Sequence, residues 1–169
     1  MLTIRTSTVL VCVLCAGCAS VGGRQDRTLT AEQAREEAAA LEVAHAALAA
    51  ISREDMVAFT DLMIDEALVL PVWEQNGTVR YNARTRAAER ARTLDADIVE
   101  RGFDPTVRVS GPVASVWLPY DLYIDGAWSH CGVDTFTMVR VDGAWRIASL
   151  AWTVEQPPQC RRHPDGPPP

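Results

Sequence analysis

The stretch that decides the fold runs Val113-Ala-Ser-Val-Trp-Leu-Pro-Tyr-Asp-Leu-Tyr-Ile124, Asp125-Gly126, Ala127-Trp-Ser-His-Cys-Gly-Val-Asp-Thr-Phe-Thr-Met-Val-Arg-Val141, Asp142-Gly143, Ala144-Trp-Arg-Ile-Ala-Ser-Leu-Ala-Trp-Thr-Val154. Its three long runs are rich in Val, Ile, Thr and aromatic residues, which suit a pleated, half-buried surface. Between them stand two Asp-Gly pairs. Both central residues of a type I′ turn need positive φ, and Asp-Gly supplies that at low steric cost. The stretch therefore predicts a three-stranded antiparallel meander.

Upstream, the period changes from two to 3.6. Thr30 opens a capping box with Gln33. Alanine-rich helix formers follow to about Ile51, with Leu41, Ala44, His45, Leu48 and Ile51 on one stripe. Ser52 with Asp55 forms a second cap, and Met56, Phe59, Leu62 and Met63 mark a second, short amphipathic helix. Ala67 to Trp73 is strand-like, with Pro71 limiting it to an edge or a bulge. Asn76-Gly77 turns the chain into a short return strand, Thr78 to Tyr81. Thr85 to Leu94 is a polar helix, Asp104-Pro105 ends the next loop, and Thr106 to Ser110 alternates. Helices first and a meander after predict an α+β fold, with a cone-shaped, curved antiparallel sheet packed against N-terminal helices.

The two ends read differently. One Arg, a short apolar run from Val9 to Leu14 and then small residues form a secretory signal over residues 1–18. The apolar run is shorter than the ~20 residues that span a bilayer. Ala16-Gly17-Cys18 resembles the end of a bacterial lipobox, although Cys15 stands where that pattern has Leu. The resemblance implies lipidation at Cys18 and a place on the periplasmic side of the envelope. Ala19 resembles the residue that sends such proteins to an outer membrane. Residues 19–30 read as a flexible tether, 31–160 as the folded domain, and 161–169 as a Pro-rich, unstructured tail.

Cys12 and Cys15 leave with the signal. Only Cys131 and Cys160 then remain in the domain, as a disulfide in an oxidising compartment or as two thiols. Over 169 residues the formal charge is −6 and 48% of residues are hydrophobic. A core is affordable. A nucleic-acid partner is not expected, because phosphate binding needs clustered Lys and Arg.

The order helix, helix, strand, helix, meander resembles the nuclear transport factor 2-like superfamily, which includes ketosteroid isomerases, scytalone dehydratase and SnoaL-like polyketide cyclases. Trp117 to Tyr123, Ser129-His-Cys-Gly-Val-Asp-Thr-Phe136, Trp145-Arg-Ile147 and Trp152-Thr-Val154 resemble a bacterial branch named for lumazine binding. The resemblance implies a pocket inside the cone. The superfamily's isomerases place an Asp base there, and some members pair through the sheet, so a homodimer is an expected partner state.

Two-residue turns fix a register. Asp121 should face His130, Trp117 should face Asp134, and His130 should face Glu155. Trp117, Asp121, His130, Asp134 and Thr153 would then share one face, unless a bulge reassigns part of it. Asp134, His130 and Asp121 are the candidate acid–base groups, because a buried carboxyl beside an imidazole can exchange a proton near neutral pH. The alternative for Asp121 and His130 is a cross-strand pair at the rim. His45, Trp73, Trp117, Phe136 and Thr153 are the candidate pocket wall, with ordinary core packing as the alternative. No metal spacing and no cofactor motif are present, so neither is expected. Three functions fit: a binder of a small apolar or planar ligand, a cofactor-independent isomerase, dehydratase or cyclase, and a structural or protein-interaction module of the envelope.

Overall fold

The computed structural model describes residues 30–169. The signal, Cys18 and nearly all of the tether lie outside the described residues. Helix α1 (Ala31–Ile51) starts at Thr30, whose hydroxyl accepts from the Gln33 amide at 3.2 Å. Helix α2 (Met56–Asp61) is capped by Asp55, which accepts from the Ala58 amide at 2.8 Å. Ser52 instead caps the C-terminus of α1, and its Oγ accepts from the Glu100 amide at 3.0 Å.

The strands are β1 (Met63–Gln75), β2 (Thr78–Tyr81), β3 (Arg84–Thr85), β4 (Ile98–Gly102), β5 (Thr106–Ser110), β6 (Val113–Ile124), β7 (Ala127–Val141) and β8 (Ala144–Val154). A short helix, α3 (Arg86–Arg90), follows β3. The sheet order is β2-β1-β8-β7-β6-β4, with β3 on β1 and β5 on β6. The meander of β6, β7 and β8 is its centre. Both hairpins close where the Asp-Gly pairs predict, with Ile124 opposite Ala127 and Val141 opposite Ala144.

The sheet is mixed, where the sequence predicts an antiparallel one. β1 runs parallel to β8, from Leu68 opposite Ser149 to Trp73 opposite Val154. Parallel neighbours need a long connection, and here everything from β2 to β7 lies between them. β1 is also an internal strand despite Pro71. Its far side pairs with β3 at Leu68 and Val69 and with β2 only from Val72 onward, so the ladder is interrupted at Pro71. The Pro71 carbonyl still accepts from the Asn82 amide at 3.2 Å.

The core lies between α1, α2 and one face of the sheet. Ala40, Ala44 and Ala47 let α1 approach closely, and Leu48, Phe59, Val116, Leu118, Phe136, Met138, Ile147 and Leu150 fill the space. The buried stripe of α1 is centred one position away from His45, which is exposed.

Candidate functional site

Two bulges decide which side chains meet. On β7, Tyr123 faces Trp128 but Leu122 faces His130, so Ser129 is an extra residue. On β8, Thr137 faces Ser149 but Met138 faces Ile147, so Ala148 is extra. Because side chains alternate across a strand, one inserted residue exchanges faces for everything beyond it. Asp121 therefore faces Cys131, not His130, and Asp134 lies between Leu118 and Trp152, not between Trp117 and Ala151. His130 and Asp134 point toward the helices. Trp117, Asp121 and Thr153 are on the other face.

The inward face holds a cavity of about 150 Å³. Its walls are mainly apolar: Leu48 and Ile51 from α1, Met56 and Phe59 from α2, and Leu122, Leu150 and Trp152 from the sheet. Its polar lining is Asp134, His130, Glu100, Glu89 and Arg92. Asp134 is only 2% exposed, and its Oδ2 is buried without a hydrogen-bond partner. Burial first, and then the charge of Glu100, push its carboxyl well above the ordinary range. Glu100 is held on β4 opposite Leu122. Burial pushes it up to about 8. Burial also lowers His130, whose Nδ1 lies 2.9 Å from the Ser129 hydroxyl and whose ring meets Tyr120 edge-on at 5.9 Å. The Tyr120 hydroxyl donates to the Thr153 carbonyl at 2.7 Å. Gly132 leaves room for this crossing, since a Cβ there would meet that same carbonyl at 2.1 Å. A cavity with two carboxyls of raised affinity for protons and a neutral imidazole can donate or accept a proton near neutral pH.

Asp121 belongs to a different structure. It is fully buried on the outward face, where Arg101 donates to it from Nε at 3.1 Å and Nη2 at 2.6 Å. The His163 amide donates to it at 2.9 Å. Arg101 also donates to the Gly166 carbonyl at 2.7 Å, and Phe103 meets the His163 ring edge-on at 5.6 Å. The tail, which has no packing signal in its sequence, thus lies as a strap over this end of the sheet. Cys131 and Cys160 stand beneath it with Cα atoms 5.8 Å apart, within the usual range for a disulfide.

The expected pocket wall is largely displaced. His45 and Thr153 are exposed and Trp117 is 53% exposed on the outward face. Trp73 sits near the end of β1, opposite Arg80 and Val154, and is not among the lining residues. Phe136 is fully buried in the core two positions from Asp134, below the cavity lining. Glu100, Glu89 and Arg92 are additions to the site. In Ile98-Val99-Glu100-Arg101 the two β-branched residues ahead of Gly102 are a weak sign of a strand, but nothing in that run marks the Glu100 carboxyl as part of a site. Nothing comparable marked Glu89 or Arg92, which sit in a run that reads as a solvated helix.

No protein-family model matches the chain, and no curated protein matches it. Solved structures do. The β subunit of a candidate aromatic-ring-hydroxylating dioxygenase from Novosphingobium aromaticivorans aligns at TM-score 0.61 and 13% identity, over 73% of this chain and 91% of that one. A nuclear transport factor 2-like protein with a cystatin-like fold from the same organism aligns at 0.56 and 17%, over 73% and 82%. A ketosteroid isomerase-like protein from Erwinia carotovora atroseptica aligns at 0.54 and 16%, over 72% and 98%. At such identities the likeness is one of architecture, and the architecture of this chain is the nuclear transport factor 2-like, cystatin-like fold.

Proposed function

We propose that the domain is an exported, lipid-anchored module that takes one small, largely apolar molecule into its cavity and holds a polar atom of it at Asp134 and Glu100. The observation that carries this reading is the unpartnered Asp134 Oδ2 in a cavity with apolar walls. A buried polar atom without a partner costs about 1–3 kcal/mol, and a ligand that supplies the partner recovers that loss. A cavity of about 150 Å³ is of the size that accepts a single six-membered ring. Cys18 would carry the lipid, and Cys131 and Cys160 would be bridged in the oxidising space outside the inner membrane. The test is a thermal-shift screen of single-ring compounds bearing one carbonyl or hydroxyl. At least one should raise the Tm, and Asp134→Leu should abolish that shift. A screen in which the wild type and Asp134→Leu respond alike would sink the reading.

A second reading has its own support. Two carboxyls with raised proton affinity beside a neutral imidazole suit proton transfer next to a carbonyl without a cofactor. Exchange of the α-protons of cyclohexanone in D2O, followed by NMR, tests it. Catalysed exchange that falls about 100-fold or more in Asp134→Asn would support the enzyme. Exchange no faster than buffer would leave ligand binding alone.

A further inference from the structure

The ligand's charge follows from the wall of the cavity that α3 and the chain after it supply. Glu89, the sole acidic residue of α3, is 2% exposed and lines the cavity. Two arginines share its carboxylate: Arg84 through Nε, and Arg92 through Nη1 at 2.6 Å. Two guanidinium groups on one carboxylate leave one positive charge in excess. Arg84 is further committed, with its guanidinium 5.7 Å above the Trp152 ring. Arg92 is the freer of the two. It lines the cavity, its side chain is 41% exposed, and its one side-chain hydrogen bond among the described residues, to Glu89, uses one of a guanidinium's five N–H donors. The arginines of α3 itself do not compete for this place, because Arg86 is tied to Asp61, Asp65 and the Thr60 carbonyl and Arg90 to Asp61 and the Thr60 hydroxyl.

We infer that the cavity selects an anion, a single-ring carboxylate whose ring fills the apolar interior and whose carboxylate meets Arg92 at the mouth. The inference rests on the ligand-binding reading and names its substrate class. Guanidinium is the side chain best matched to a carboxylate, since its N–H donors pair with both oxygens. The deeper acids oppose an anion less than ordinary carboxylates would. Burial pushes Glu100 up to about 8 and raises Asp134, so this pair favours its protonated form, and a carboxyl that keeps its proton can donate to the far end of the ligand. The local excess of positive charge is set in a chain whose formal charge is −6, which makes Arg92 a discriminating feature and not part of a general basic surface.

The experiment is isothermal titration of the purified full chain at pH 7 and low salt with benzoate, phenylacetate and 3-phenylpropionate, each beside its primary amide. At least one acid should bind ten-fold or more tightly than its amide. Arg92→Gln should weaken that acid about ten-fold and leave the amide within two-fold. Arg92→Lys should keep most of the preference. The fold is guarded in Arg92→Gln because Arg84 still holds Glu89, and an unchanged amide affinity confirms it. Equal binding of acid and amide, or a preference that survives Arg92→Gln, overturns the inference while leaving the binding reading in place. No binding by any acid or amide overturns the binding reading itself.

Discussion

Asp121 and Asp134 are buried carboxyls on opposite faces of the same sheet, and the chain meets their desolvation in opposite ways. On the outward face, Asp121 is matched by a two-bond contact from Arg101 and by the His163 amide, and the tail seals the arrangement. On the inward face, Asp134 has one oxygen with no partner, and a second acid, Glu100, lies close enough to raise it further. The first arrangement spends its polar capacity on holding the fold together. The second leaves polar capacity over, next to empty space. That difference separates a structural carboxyl from one available to a ligand, and residue type alone does not reveal it.

Arg101→Met should give the largest effect. It leaves Asp121 charged and buried with one amide for company, and uncompensated buried charges cost about 3–5 kcal/mol. Urea denaturation at pH 7 measures it. A loss below about 1 kcal/mol would mean that Asp121 is not held as described. Reduction comes next. If Cys131 and Cys160 are bridged, with a sequence separation of 29, breaking the bridge should lower stability by about 3 kcal/mol through loop entropy. It should do so without changing ligand affinity, because the strap and the cavity are on different faces. Unfolding with and without dithiothreitol, together with a titration of bound ligand, checks both halves.

The smallest effect is pH-dependent and belongs to the inward face. Glu100 moves from 4.5 to about 8 on folding, so between those values the folded chain binds more protons than the unfolded one. Its contribution to stability is complete below pH 4.5 and is lost as the pH rises through about 8. The slope is at most about 1.4 kcal/mol per pH unit. From pH 6.5 to 8, above the range in which His130 takes up a proton, the loss should be about 1–2 kcal/mol. Glu100→Gln should reduce the slope and leave the part that the raised Asp134 carboxyl contributes. Equal slopes in the two proteins would show that Glu100 is solvated and that the contrast between the faces is weaker than drawn.

The parts of this fold that local chemistry dictates were legible. Asp125 and Gly126 have φ of 50° and 76°, and Asp142 and Gly143 have 50° and 81°, the left-handed pair that Asp-Gly turns require. The cap at Thr30 was legible for the same reason. His130 and Asp134 were recognisable as polar residues on a strand otherwise built for a core. The bulges at Ser129 and Ala148 were not, because an inserted residue in an alternating run leaves no compositional mark. Those two slips are why Asp121, Trp117 and Thr153 were expected beside His130 and lie on the other face: the first moves Asp121 and Trp117, the second Thr153. Glu100 escaped notice because its role depends on Leu122 and Asp134, distant in sequence. The tail's prolines carry no period, and what holds them is Arg101, Phe103 and Asp121.

Helix α1 has one more consequence. Thr30, where it begins, lies beside the Gly111-Pro112 turn, while Ile51, where it ends, lines the cavity. Twenty-one residues at 1.5 Å each make a rod of roughly 30 Å. The cavity thus lies at the opposite end of that rod from Thr30, so the residues that enter the domain there join it roughly one helix length away from the ligand site.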